Sequence, residues 1–274
     1  MYYFLVSCKK TYYAQKRRGD FLNRKDDFIA VFDSGVGGLS VLRHLVRLLP
    51  QEHFLYYGDS ANAPYGTRPR QEVRDLTFAV AETLTARGLK ALVVACNTAT
   101  SAAIDDLRRA FPELIIEGIE PALKLAADRF PGGAFGVMAT PMTLREEKFS
   151  GLLHRYEALD TVYPIPAPGL VELVEAGLGN SDRAQALLRP LLEPYRGRLD
   201  ALVLGCTHYP FAAEAISRVL PGVPLMDGGE GTARETRRRL EAASLLREGT
   251  GSVTIENSDP DPGLITLSRR LLSI

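Results

Sequence analysis

Cysteine is scarce in this sequence, three in 274 residues, and histidine nearly so, at four. Three cysteines make no disulfide framework and suit a reducing compartment. No CxxC redox pair occurs. A zinc site asks for about four ligands, usually closely spaced, and only His208 lies near a cysteine. Net charge is missing too. The 33 Lys and Arg residues cancel 33 Asp and Glu, so no electrostatic case exists for nucleic acid or an anionic membrane. No apolar run nears the roughly 18 residues of a membrane helix. The opening MYYFLV has no basic region before it and no long apolar run after it, so no segment reads as a signal peptide. What is plentiful is apolar material, 46% hydrophobic residues, enough for a real core and too much for a disordered or fibrous chain. The expectation is a soluble cytoplasmic globular protein of one or two domains.

Residues 1–27 differ from the rest. Seven basic and three acidic side chains give this stretch +4, and it has no clean period. It reads as a poorly ordered N-terminal extension, and Cys8 within it is assigned no role. From Phe28 the pattern is regular. FIAVFD, HFLYYGD, ALVVAC and LIIEGIE read as strands, separated by the helical stretches after SGVGG, after ANAPYG and from Asn97. Continuous apolar strands alternating with amphipathic helices imply a parallel sheet covered on both faces.

The plan then repeats. GAFGVMAT answers FIAVFDS, TVYPIPAP answers the second strand and its loop, and ALVLGCTHYPFAA echoes ALVVACNTATSAA. The echo places Cys206 where Cys96 stands. Two similar α/β halves are the simplest reading, against chance resemblance of ordinary core strands.

Each cysteine ends a strand and precedes a helix, at the edge where open α/β sheets bind ligands. A helix N-terminus there can draw a thiol pKa from roughly 8.5 down to about 3.5–7.5. A lone cysteine after a buried strand is commonly just a small hydrophobe. Two in matching halves, trailed by Asn97-Thr98 and Thr207-His208, instead suit a reaction needing similar bases on opposite faces of one atom. That is inversion at a carbon acid. One thiolate removes the proton from one face, and the opposite thiol returns one to the other.

Seven segments carry a resemblance: IAVFDSGVGGLSVL, GDSANAPYG, VVACNTATSAA, GIEPA, VMATPMT, LVEAG and LVLGCTHYPF, with MDGGEGTARE a weaker match. In this order they resemble the bacterial cofactor-independent glutamate racemases, over nearly all of residues 28–274. The resemblance implies two pseudo-symmetric flavodoxin-like α/β lobes, each a mainly parallel sheet flanked by helices. Lobe one would hold 28–118 plus 211–274 and lobe two 119–210, with the site in the cleft between them. It implies that Cys96 handles the α-proton of D-glutamate and Cys206 that of L-glutamate, with no cofactor and no metal. It also implies that Asp33 assists the first thiol and that His208 and Glu175 assist the second. The bland alternative for Asp33 is an N-cap, which Asp does well. The substrate would be held by Asp33, Ser34, Pro64, Tyr65, Gly66, Asn97, Thr98, Thr140, Thr207 and His208. Two departures stand out. Ala167-Pro168 replaces a Cys-Pro pair, and Glu172 replaces a proline, so Glu172 competes with Glu175 for the assisting role.

The glycines of SGVGG read as letting backbone approach a small carboxylate, bound at the helix N-terminus. The strand ends carry no lysine to anchor pyridoxal phosphate. The resemblance further implies D-glutamate for peptidoglycan synthesis and a homodimer. The alternatives are an aspartate or other amino-acid racemase, a non-catalytic amino-acid-binding protein, and a thiol redox protein forming a Cys96–Cys206 disulfide.

Overall fold

In the computed structural model the residues described are 24–119, 122–145 and 160–273. Cys8 and most of the basic extension lie outside them. The end of the extension does not fit the expectation of a loose tail. Arg24–Asp26 forms a 3-10 turn, the Lys25 carbonyl accepts from Lys90 Nζ at 2.5 Å, and Asp26 pairs with Arg247. Lys90 is wholly buried against Glu52. A buried ammonium needs every proton placed, and this local backbone supplies acceptors.

The first lobe is a five-stranded parallel sheet in the order β4-β3-β1-β2-β9. Its strands are β1 (Phe28–Asp33), β2 (His53–Gly58), β3 (Leu89–Val94), β4 (Ile115–Gly118) and β9 (Ser252–Asn257). The second lobe has the order β6-β5-β7-β8, from β5 (Ala134–Ala139), β6 (Thr161–Pro166), β7 (Ala201–Leu204) and β8 (Leu225–Met226). Matching β1 with β5, β2 with β6, β3 with β7 and β4 with β8 makes the two orders identical. The repeat seen in the sequence is therefore a repeat of topology. Both follow the flavodoxin-like order over four strands, with β9 added beside β2.

The apolar strands are buried on both faces, and neighbours alternate between clusters as the pleat requires. Ile29, Val31, Ala91 and Val93 join one cluster, and Ala30, Phe32, Leu92 and Val94 another. The first cluster runs on into the second lobe, through Leu170, Tyr209 and Ala212. Helices α1 (Leu39–Leu48), α2 (Arg70–Thr85) and α3 (Asn97–Ala110) flank the first sheet. Helices α4 (Leu123–Arg129), α5 (Pro141–Arg145), α6 (Leu170–Glu175), α7 (Asp182–Leu192) and α8 (Ala213–Val219) follow in the second half. Two more, α9 (Gly229–Ala242) and α10 (Pro262–Leu272), close the chain.

The chain returns to the first lobe later than residue 211. Met226 pairs with Val203 of β7, so the second sheet extends through β8, and α9 is the element that packs back on α1 and β4. A two-residue strand carries too little pattern to be read from sequence.

Candidate active site

In each lobe the strand order reverses between the first and third strands of the repeat, and a crevice forms at their carboxyl ends. The two crevices face each other. Their shared cavity has about 70 Å³ of free volume and is lined from both lobes, by Ser34, Pro64–Thr67 and Cys96–Thr98 on one side and by Thr140, Ala167–Gly169, Glu172, Glu175 and Cys206–Tyr209 on the other. At about 10–15 Å³ per enclosed water, that suits a molecule the size of an amino acid. Both cysteines are free and buried, and both open into this one cavity.

Cys96 follows β3 and caps α3, its sulfur accepting from the Ala99 amide at 3.5 Å. Its thiol donates to Ser34 Oγ, also at 3.5 Å. The helix N-terminus does not depress this thiol as the sequence suggested. Burial, then the nearby Asp33 carboxylate, push it up to about 12, and the contacts with Ser34 and Ala99 offset only part. Removal of the sulfur from water outweighs the helix end, so Cys96 keeps its proton at neutral pH.

Asp33 ends β1 completely buried. It caps no helix. Oδ1 accepts from the Gly35 amide at 3.0 Å, and Oδ2 accepts from the Thr207 hydroxyl of the other lobe at 2.9 Å. Burial raises its pKa against the pull of His208, Thr207 and Gly35. Asp33 sits beneath the cavity and is not part of its lining.

Around Cys206 the arrangement is a relay. Its sulfur lies 3.7 Å from His208 Nδ1. His208 Nε2 lies 2.6 Å from Glu175 Oε1, which also accepts from the Val36 amide at 2.8 Å. His208 is 2% exposed, not a surface histidine. Burial opposes its imidazolium, but the hydrogen bonds to Cys206 and Glu175 outweigh that and raise its pKa well above the ordinary value. Of the two competing glutamates, Glu175 makes this contact, while Glu172 lies one turn earlier on α6 at the exposed rim. No long helix follows Cys206 directly. A 3-10 turn, Tyr209–Ala212, comes first, since Pro210 is tolerated only in an opening turn.

The SGVGG glycines serve a different end from substrate binding. The Gly35 and Val36 amides are already committed, to Asp33 and Glu175. A Cβ on Gly35 would lie 1.9 Å from Glu175 Oε1, and one on Gly37 would lie 2.4 Å from His208 Nδ1 and 2.6 Å from Thr207 Oγ1. The glycines let the second lobe's relay press against the first lobe's backbone. Ser40 Oγ donates to the Thr207 carbonyl at 2.9 Å across the same seam.

The remaining expected residues gather here as well. Tyr65 and Gly66 open a 3-10 turn after Pro64, where the first amides have no intrahelical acceptor. Asn97 Nδ2 is buried without a hydrogen-bond partner, beside the cavity. Thr98 and Thr140 come together across the lobes at 3.4 Å, joined by Thr143, which lies 3.3 and 3.0 Å from them. Sequence reasoning missed Thr143, though it stands in the VMATPMT segment three residues after Thr140. It also missed Asp59, whose Oδ2 accepts from the Tyr65 hydroxyl at 2.6 Å, and Tyr56, whose hydroxyl donates to the Gly35 carbonyl at 2.6 Å. A tyrosine in an apolar strand looks like core filling.

Comparison with known proteins shows the family and the fold. Residues 29–236 match the family described as Asp/Glu/Hydantoin racemase. A glutamate racemase of Clostridium acetobutylicum is 47% identical over 253 residues, covering 91% of this chain and 99% of that protein. The structure of a Thermus thermophilus glutamate racemase in complex with beta-chloro-D-alanine superposes with a TM-score of 0.79 at 41% identity, covering 92% of this chain and 94% of the other. That of the Francisella tularensis enzyme with D-glutamate gives 0.81 at 27%, covering 90% and 94%.

Proposed function

The chain belongs to the Asp/Glu/hydantoin racemase family, and from that premise we propose that it interconverts L- and D-glutamate by proton transfer at Cα between two thiols, without a cofactor. The observation that carries this reading is that Cys96 and Cys206, from opposite lobes, open into one cavity of amino-acid size. A cytoplasmic enzyme supplying D-glutamate for peptidoglycan, working as a homodimer, completes the proposal. Among the described residues no helix is long and apolar enough to cross a membrane.

In the L-to-D direction the α-proton passes to the Cys206 sulfur, and the Cys96 thiol delivers its own proton to the opposite face. Cys96, protonated at neutral pH by virtue of its burial, starts in the donor state. The His208 imidazolium, 3.7 Å from Cys206 Sγ, is a counter-charge for an anionic sulfur. The reverse direction needs Cys96 as thiolate. A proton on Asp33 removes the negative charge that opposes it, and burial favours that proton. Asn97, Thr98, Thr140 and Thr207, with the amides of Tyr65 and Gly66, supply donors for the amino acid's polar groups. Enclosure strengthens each such contact.

The direct test incubates each enantiomer of glutamate and aspartate in deuterated water. Racemisation of glutamate with deuterium entering at Cα is expected. Binding without exchange would make the chain an amino-acid receptor, and faster turnover of aspartate would reassign its substrate. Glu175→Gln tests the relay. His208 stays charged below its raised pKa and loses its proton as pH climbs through it. Removing the Glu175 charge lowers that value, so the alkaline limb of the kcat profile should move to lower pH, with kcat reduced about 10- to 100-fold. An unmoved limb would separate His208 from catalysis.

A further inference from the structure

We propose that Tyr56 is a positioning residue for Cys206, acting through the single peptide unit that joins Gly35 to Val36. The proposal rests on the two-thiol reading above and adds a residue to it. In a trans peptide the carbonyl and the N–H point to opposite sides, and the cis bond of the described chain lies elsewhere, at Ala63-Pro64. On one side of this unit the Tyr56 hydroxyl donates to the Gly35 oxygen at 2.6 Å. On the other the Val36 N–H donates to Glu175 Oε1 at 2.8 Å. That oxygen lies 2.6 Å from His208 Nε2, and His208 Nδ1 lies 3.7 Å from the Cys206 sulfur. A donor on the carbonyl polarises the peptide and strengthens its N–H. Tyr56, in the first lobe, thereby fixes the rotation of a peptide whose other end aims the carboxylate serving the second lobe's thiol.

Two features mark this contact as specific. Tyr56 is completely buried, so a phenylalanine would fill the same space and the hydroxyl alone needs explaining. The end of β2 also closes on the same carbonyl. A Cβ at Gly58 would lie 2.7 Å from the Gly35 oxygen, so strand and phenol together clamp the peptide.

Tyr56→Phe tests it. Equal energies of the two enantiomers require kcat/KM to change equally in both directions, and about a tenfold fall is expected for one lost hydrogen bond. The discriminating readout is the α-deuterium isotope effect. With the Cys206 transfer slowed, the effect should rise for L-[2-²H]glutamate, where that transfer breaks the labelled bond. It should fall for D-[2-²H]glutamate, where Cys96 breaks the bond and the slow step comes later. Tyr57→Phe, which removes the neighbouring phenol hydroxyl, should keep both wild-type isotope effects. A uniform fall in rate with both isotope effects unchanged, whether or not thermal stability drops, would overturn the positioning role. So would a wild-type rate. Failure of the two-thiol reading shows separately, as racemisation at the wild-type rate by Cys96→Ser or Cys206→Ser with Tyr56 intact.

Discussion

Cys96→Ser or Cys206→Ser should lower kcat/KM for both enantiomers on the order of 10³-fold or more, because an alcohol is a far weaker proton acid than a thiol and a positioned base contributes about 10²–10⁴. The loss must be symmetrical in the two directions, whichever cysteine is changed. The surviving thiol should still reveal itself. Cys206→Ser leaves Cys96 facing D-glutamate, so slow exchange of the α-proton with deuterated water should persist for the D enantiomer without inversion. Cys96→Ser should show the reverse. Either variant racemising at the wild-type rate would end the two-thiol mechanism, and exchange of both enantiomers by one variant would point to a single base working on both faces.

The second large effect is steric. Gly35→Ala should cut activity by more than about 10²-fold and destabilise the fold by about 1–3 kcal/mol, because the new methyl would sit 1.9 Å from Glu175 Oε1. Gly37→Ala should act similarly through His208 Nδ1, at 2.4 Å, and Thr207. The lobes must separate, or the Glu175–His208 contact must break. Kinetics together with thermal unfolding would check this. Near-normal turnover in Gly35→Ala would mean that the relay is not held against the first lobe during catalysis.

The contrast between these two experiments shows how far the sequence could be read. The cysteines were legible because they recur at the same place in two matching apolar runs, each followed by polar residues. The likeness of the two halves was implied by the same repeat, and their flavodoxin-like form by the family resemblance. The glycines were visible but their purpose was not, since a missing Cβ reports only that something comes close. Here it is a histidine and a glutamate some 140–170 positions away. The protonation of Cys96 went astray for a related reason. A helix N-terminus is a local signal, whereas burial is decided by the whole lobe, and burial won. Glu172 and Glu175 share one short helix and differ only in the direction each side chain takes from it. β8 was too short to show, and β9, buried on neither face by its own pattern, is recruited to the sheet edge by β2. Tyr56 lay hidden among apolar neighbours because its one polar atom meets a backbone oxygen rather than another side chain.

The late return of the chain has a mechanical meaning. The polypeptide passes from one lobe to the other between β4 and α4, and comes back between β8 and α9. Two crossings join the lobes, so a swing about the line through them would leave both connections unstretched. Every opening of the jaws would then part Thr207 from Asp33 and Glu175 from Val36 together, and every closing would rejoin them in the same register.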